Sequence, residues 1–348
     1  MSGRLKTAVL GATGYAGAEL TKLLLAHPQV EKPILLRRNG GPRTDSNLDD
    51  LFPAFSESDG CRFQPLDWPA LKQQGVELLF CSTPHEVSRS VVPEATAEGL
   101  RVIDLSGAWR LRRARNRAIY GFRDEDAVTA SELTRKAVYG LPELNGDRIP
   151  EAALVANPGC YATSIILALA PLLKAGLVDR EHGIVCDSKS GVSGAGKEPT
   201  ERTHFVSVAD NLSAYSVFNH RHCGEILEQL ELESSDLVFT PHLLPIPRGI
   251  LSTIYVRLSR GTKSAEIEGC YREFYAGRRW VRVYATPRLP QIRFALFTNY
   301  CDLGFCLADD TRRLVIVSCV DNLLKGAAGQ AIQNMNLMYG WKEEEGLR

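Results

Sequence analysis

The sequence predicts an α/β fold in two parts, an open doubly wound parallel sheet followed by an α+β unit with a mostly antiparallel sheet. Three observations predict it. The first half alternates short apolar runs with apolar residues at helical spacing, the pattern of βαβ units. After a helix ending near residue 175, candidate strands follow one another with little helix between them. Between the first strand and the first helix lies a glycine-rich turn, Gly11 to Gly17.

The elements read in order as follows. Thr7 to Leu10 is a buried strand, and Ala16 to Ala26 a helix with Leu20, Leu23 and Leu24 on one face. His27-Pro28 ends it, because proline cannot continue a helix. Pro33 to Leu36 is a second strand, and Gly40 to Phe55, rich in Gly, Pro, Asn and Asp, a loop. Val76 to Cys81 and Leu100 to Leu105 are strands flanking a helix that ends near Gly99. Tyr161 to about Ala175 is a long apolar helix. Later strands are expected at Gly183 to Asp187, Leu237 to Thr240, Leu251 to Arg260, Trp280 to Tyr284, Tyr300 to Leu307 and Leu314 to Val320. The last two flank a hairpin turn at Asp309-Asp310. Gly326 to Tyr339 closes the chain as a helix.

Composition excludes several classes. Hydrophobic residues at 44% and charged residues at 24% suit a globular chain with a full core. Lys plus Arg and Asp plus Glu are 41 each, so no global field attracts nucleic acid or an anionic membrane. Arg110, Arg112, Arg113, Arg115 and Arg117 form a local basic cluster, read mostly as a solvated face. No apolar run approaches the roughly 20 residues of a membrane helix, and a strand begins too early for a signal peptide. Nine cysteines, an odd number without a CxxC pair, argue against a disulfide framework. The expectation is a cytoplasmic protein with no membrane or nucleic-acid partner.

Gly11, Thr13, Gly14, Tyr15 and Gly17 belong to a GxxGxxG turn that opens a helix, where free N–H groups hold a pyrophosphate. A tight turn without a ligand is the plainer alternative. At the end of the second strand an Asp or Glu would select NAD. Arg37 and Arg38 stand there instead and suit a 2′-phosphate, so NADP(H) is the expected cofactor.

In Asn157-Pro158-Gly159-Cys160, Pro-Gly forces a turn and the long helix starts at once, which places Cys160 at a helix N-terminus. The dipole there favours a thiolate, and the free N–H groups suit an oxyanion. His220-Arg221-His222, followed by Glu225, offers an acid/base partner; metal ligation is the rival, but no other ligand cluster accompanies it. The Gly- and Ser-rich stretch from Ser188 to Lys197 reads as a loop around a ligand rather than a linker.

These residues resemble the N-acetyl-γ-glutamyl-phosphate reductase family of arginine biosynthesis, which is related to aspartate-semialdehyde dehydrogenase. The resemblance runs nearly end to end. It includes Gly11 to Gly17, Asp104-Leu105-Ser106, Asn157 to Thr163, Ser190 to Gly196 and His220 to Ile226. It continues through Pro241 to Pro245, Arg248 to Leu251 and Asn322 to Gly340.

The resemblance implies Cys160 as nucleophile and one of the two histidines as acid/base, His222 favoured and His220 open. It implies substrate contacts at Ser106, Arg110, Asn157 and Glu225, with Arg110 a candidate for the substrate carboxylate. Cofactor contacts are implied at Ser190, Gly191, Gly194 and Asn322, and a homodimer or homotetramer is expected. The implied reaction takes an acyl phosphate to an aldehyde with NADPH, through a thioester on Cys160. A carrier-linked substrate of lysine biosynthesis and aspartate semialdehyde remain alternatives. A non-catalytic NADP(H) sensor does not need the cysteine and histidine motifs, and a cofactor-free thiol acyltransferase does not need the glycine turn. The expected organisation is a Rossmann-like NADP-binding domain, 1–157, rejoined by the C-terminal helix 326–348. A catalytic and oligomerisation domain, 158–325, follows, with Cys160 at the cleft between the two.

Overall fold

The computed structural model describes residues 3–37, 48–51 and 61–348. The chain forms two compact units: Met1–Arg112 with Gly121–Pro158 and Ala327–Arg348, and Arg113–Tyr120 with Gly159–Gly326.

The first unit holds strands β1 (Thr7–Leu10), β2 (Ile34–Arg37), β3 (Phe63–Pro65), β4 (Leu78–Cys81), β5 (Arg101–Asp104), β6 (Val138–Tyr139) and β7 (Leu154–Ala156). Their order is β3-β2-β1-β4-β5-β7-β6, and all neighbours run parallel. β1 and β4 are buried at every position, as apolar strands covered on both faces must be. Successive residues feed opposite cores. Val9, Phe80 and Ile103 pack with Leu20, Leu24 and with Ala331, Ile332 and Met335 of the helix Ala328–Met338. Ala8, Leu10 and Leu79 pack on the other face with Val91, Val92 and Trp109. Each large side chain so buried contributes roughly 1.5–3 kcal/mol, so the C-terminal helix is part of this core.

The second unit holds β8 (Ile184–Gly191), β9 (Ser213–Ala214), β10 (Leu237–Leu244), β11 (Ile250–Arg257), β12 (Val281–Val283), β13 (Cys301–Leu307) and β14 (Arg313–Val320). Their order is β12-β13-β14-β11-β8-β10-β9. β8–β10 and β12–β13 are parallel and the other neighbours antiparallel. The helix Cys160–Lys174 packs on one face, where its Ser164 hydroxyl bonds Ser252 (3.0 Å) and Ser318 (2.9 Å). Burial alternates along β10 and β11, so the other face carries the partly exposed residues.

The expected α/β plan is therefore the observed one, with differences of detail. β8 runs on to Gly191, so Ser188 to Gly191 are strand and not loop. Register with β10 pairs Ser188 with Pro241 and Ser190 with Leu243, and both serines are buried. Pairing to neighbouring strands overrides the weak strand preference of Ser and Gly. β3, β6, β7 and the helices Ala127–Lys136 and Ser264–Phe274 carry too short or too polar a pattern to have been read in advance. The expected loop from Gly40 to Phe55 lies mostly outside the described residues.

Candidate active site

At the glycine turn, three glycines have distinct reasons. Gly11 has φ +92°, and a Cβ there would lie 2.2 Å from the Ser82 carbonyl oxygen. A Cβ at Gly17 would lie 2.1 Å from the Gly11 carbonyl oxygen, so the helix closes on the turn. Gly14 caps the helix Tyr15–Ala26 without a side-chain hydrogen bond, its own N–H turned back to the Gly11 carbonyl (3.3 Å). A Cβ at Gly14 would meet nothing nearer than 3.7 Å. The cradle is open where an anion would sit, with exposed Thr13 and Tyr15 on its rim. Leu10 pairs with Leu36, so Gly11 and Arg37 leave adjacent strands at the same sheet edge. Arg38 lies outside the described residues.

Ser106, Arg110 and Asn157 meet at the carboxyl ends of β5 and β7. The Ser106 hydroxyl donates to Asp104 (2.7 Å) and accepts from the Ala108 N–H (3.1 Å). Burial raises the Asp104 carboxyl pKa, opposed by the hydrogen bonds and by Arg110. Arg110 is 8% exposed and donates to the carbonyls of Asn157 and Leu105, both at 2.7 Å. The Asn157 amide donates to the Ala327 carbonyl (3.0 Å) and accepts from Asn334 (2.9 Å), wholly buried. The bonds of Arg110 and Asn157 thus tie the β7 end to β5 and to the C-terminal helix.

Cys160 is the first residue of its helix, capped by Gly159 without a side-chain bond. The Gly159 N–H donates to the buried Glu225 carboxylate (2.9 Å). The His222 ring lies on Gly159: a Cβ there would be 2.4 Å from Nε2 and 2.6 Å from Cδ2. Glu225 stands 3.9 Å from the same Nε2. Cys160, His222 and Glu225 are thus assembled around one glycine, the residue just before the thiol.

His220 is placed differently. Its Nδ1 accepts the His222 backbone N–H (3.1 Å), and its ring packs edge-on to Tyr161, Tyr215 and Phe239. Burial, then the charges of His222 and Arg221, push its pKa down to about 2. His220 is thus bonded to the His222 backbone and enclosed by aromatic rings, while the His222 ring lies against Gly159.

Ser190, Gly191, Gly194 and Asn322 also come together. The Asn322 amide accepts the Gly249 N–H (2.6 Å) and donates to the Ser193 hydroxyl (2.9 Å). Gly191 bonds the Gly249 carbonyl, and a Cβ at Gly194 would touch the Ser190 hydroxyl at 3.0 Å. Gly326 abuts Cys160, since a Cβ there would sit 2.7 Å from the Cys160 Cβ. An open cavity of about 900 Å³ is lined by Gly194, Arg202, Tyr215, Asn219, His220 and Arg221, among others. Tyr215 is held neutral, its pKa pushed up to about 12 by burial, with the nearby Cys160 adding to the shift. Arg202, its guanidinium over the Tyr215 ring at 5.3 Å, and Tyr215 itself escaped the sequence reading. Neither sits in a recognisable motif; only Tyr215's position five residues before His220 could have pointed to it.

Two family models match the chain: the semialdehyde dehydrogenase NAD binding domain over residues 6–152, and the semialdehyde dehydrogenase dimerisation domain over residues 160–322. A curated relative named N-acetyl-gamma-glutamyl-phosphate reductase, from Alkaliphilus metalliredigens, is 43% identical over 99% of this chain and 98% of its own length. The chain belongs to the N-acetyl-gamma-glutamyl-phosphate reductase family. A second member, from Desulforapulum autotrophicum, is 41% identical with the same coverage. Among solved structures, aspartate semialdehyde dehydrogenase II complexed with ASA from Vibrio cholerae superposes with a TM-score of 0.71 at 19% identity. It covers 97% of this chain and 99% of that one. Aspartate semialdehyde dehydrogenase with NADP from Candida albicans gives 0.71 at 17% identity, covering 97% and 98%. The N-acetyl-gamma-glutamyl-phosphate reductase family thus carries its two family regions here on a fold shared with these dehydrogenases, and the first region is an NAD(P)-binding domain.

Proposed function

We propose that the chain catalyses the NADPH-dependent reduction of N-acetyl-L-glutamyl 5-phosphate to N-acetyl-L-glutamate 5-semialdehyde and phosphate. One observation carries this reading: Cys160 heads a helix whose cap, Gly159, is covered by His222 and held by Glu225. Family membership supplies the substrate, since the relatives are named for it.

The Cys160 sulfur attacks the acyl carbon, the carbonyl oxygen gathers negative charge at the helix N-terminus, and the C–O bond to phosphate breaks to leave a thioester. What a nicotinamide dinucleotide supplies when bound is a hydride for the thioester carbon. His222 then carries the proton as the thiohemiacetal loses the Cys160 sulfur and releases the aldehyde. Glu225 holds Gly159 in place and biases the His222 ring, and His220, neutral and capping, fixes where that ring stands. The roles of Ser106, Arg110 and Asn157 are to shape the substrate side from the ends of β5 and β7.

The first unit fits the dinucleotide, because Gly11 and Gly17 close a turn that Gly14 leaves open. Gly11, Thr13, Gly14, Tyr15 and Gly17 would hold the pyrophosphate, with Arg37 and Arg38 favouring the 2′-phosphate of NADP. Ser190, Gly191, Gly194 and Asn322 would face the nicotinamide. The partly exposed sheet face of the second unit, within the region matched as a dimerisation domain, is where we place a second copy. The reaction is assigned to the cytoplasm, in keeping with nine free cysteines.

The test is phosphate-dependent NADP⁺ reduction with N-acetylglutamate semialdehyde, comparing the native chain with Cys160→Ser. Activity lost in the variant supports both substrate and nucleophile. A folded native chain without activity overturns the substrate, and an active variant overturns the thioester.

A further inference from the structure

Asp321 is wholly buried and gathers four donors. Arg248 approaches its carboxylate through Nε at 2.8 and 2.7 Å. The N–H groups of Leu323 (2.9 Å) and Leu324 (3.1 Å) turn back onto the same carboxylate. Phe297, at φ +59°, adds its own N–H (2.8 Å). A bulky residue in the left-handed region is rare and persists only where its surroundings hold it. Here Asp321 holds the backbone and the Arg248 guanidinium lies 4.9 Å over the Phe297 ring.

The turn folded by Asp321 is the one that touches the chemistry. The Gly326 N–H returns to the Asp321 carbonyl (2.9 Å), which sets Gly326 against Cys160. The next residue, Asn322, clips together two segments, the Gly249 N–H on one side and the Ser193 hydroxyl on the other. Arg248 precedes Gly249, so the ion pair joins both ends of this clip.

We propose that Arg248 and Asp321 are positioning residues for the reaction: the ion pair of partly buried Arg248 with buried Asp321 sets the Asn322–Gly326 turn against Cys160 and, through Asn322, fixes the Ser190–Gly196 segment toward the nicotinamide. The inference rests on the function proposed above only for the nicotinamide. The effect on Cys160 stands apart from it. A guanidinium does here what an ammonium cannot, since it meets the carboxylate from a fixed plane while stacking on an aromatic ring.

The experiment compares the native chain with Arg248→Met and Arg248→Lys. Two readouts are taken on folded protein without substrate: the rate of Cys160 alkylation by iodoacetamide against pH, followed on the Cys160 peptide by mass spectrometry, and NADP⁺ affinity by calorimetry. The expected result for Arg248→Met is a displaced alkylation midpoint and a Kd raised about tenfold, with Arg248→Lys between it and the native chain. Native values of both readouts in folded Arg248→Met overturn the proposal. If Arg248→Met does not fold, Asp321→Asn, which keeps shape and loses charge, decides by the same two outcomes. Alkylation needs neither nucleotide nor substrate. A native chain that fails to turn over N-acetylglutamate semialdehyde therefore sinks the proposed function and leaves this comparison intact.

Discussion

The His222 ring lies flat on Gly159, so close that a methyl group at position 159 would fall 2.4 Å from Nε2. A glycine there brings a histidine and the following cysteine into one site. Gly159→Ala is expected to push the ring away and lower kcat by at least a hundredfold. Its φ of −76° is open to alanine, so the fold should survive. Steady-state kinetics beside a circular dichroism spectrum check this; a folded, fully active variant would refute the packing argument.

Glu225 acts through the same glycine. Glu225→Ala leaves the Gly159 N–H buried without its acceptor, a loss of about 1–3 kcal/mol. Glu225→Gln keeps an acceptor and should retain most of the stability while losing activity about tenfold. Urea titrations and kcat of the two variants separate the structural bond from the charge.

His220 predicts an acid-sensitive fold. Its pKa is about 2 when folded, against about 6.5 unfolded. The unfolded chain therefore binds the extra proton between those values, and stability falls as pH drops below about 6.5. The slope from this one group is at most about 1.4 kcal/mol per pH unit. His220→Gln should flatten the decline in unfolding free energy between pH 7 and pH 5. An unchanged decline would show that His220 is not the group responsible.

Arg110 bonds two backbone carbonyls of its own sheet edge. Arg110→Lys should therefore lower Tm and kcat together. A rise in KM for the acyl substrate with Tm untouched would instead make Arg110 a direct carboxylate ligand.

Gly14 and Gly17 should respond oppositely to the same change. Gly17→Ala forces a methyl to 2.1 Å from the Gly11 carbonyl oxygen and should cost stability. Gly14→Ala meets no protein atom closer than 3.7 Å, so Tm should hold while NADP⁺ binding weakens. Thermal melts with nucleotide titrations distinguish the two; nucleotide binding unaffected by Gly14→Ala would move the pyrophosphate elsewhere.

Much of this was legible in the chain itself. Apolar runs such as Thr7 to Leu10 and the Leu20, Leu23, Leu24 spacing announce strand and helix because period is a local property. Gly11 to Gly17 and Pro158-Gly159-Cys160 could be read because a turn and a helix start are written in adjacent residues. Other features were decided by tertiary structure. Ser188 to Gly191 became strand only through pairing with Pro241 to Leu244. The two histidines, two residues apart, differ in placement, one ring packed among Tyr161, Tyr215 and Phe239 and the other against Gly159. Glu225 with Gly159 and Arg248 with Asp321 are 66 and 73 residues apart. Local spacing carries no information about such pairs; burial selects them, because a charge withdrawn from water must find its partner wherever the fold has placed one.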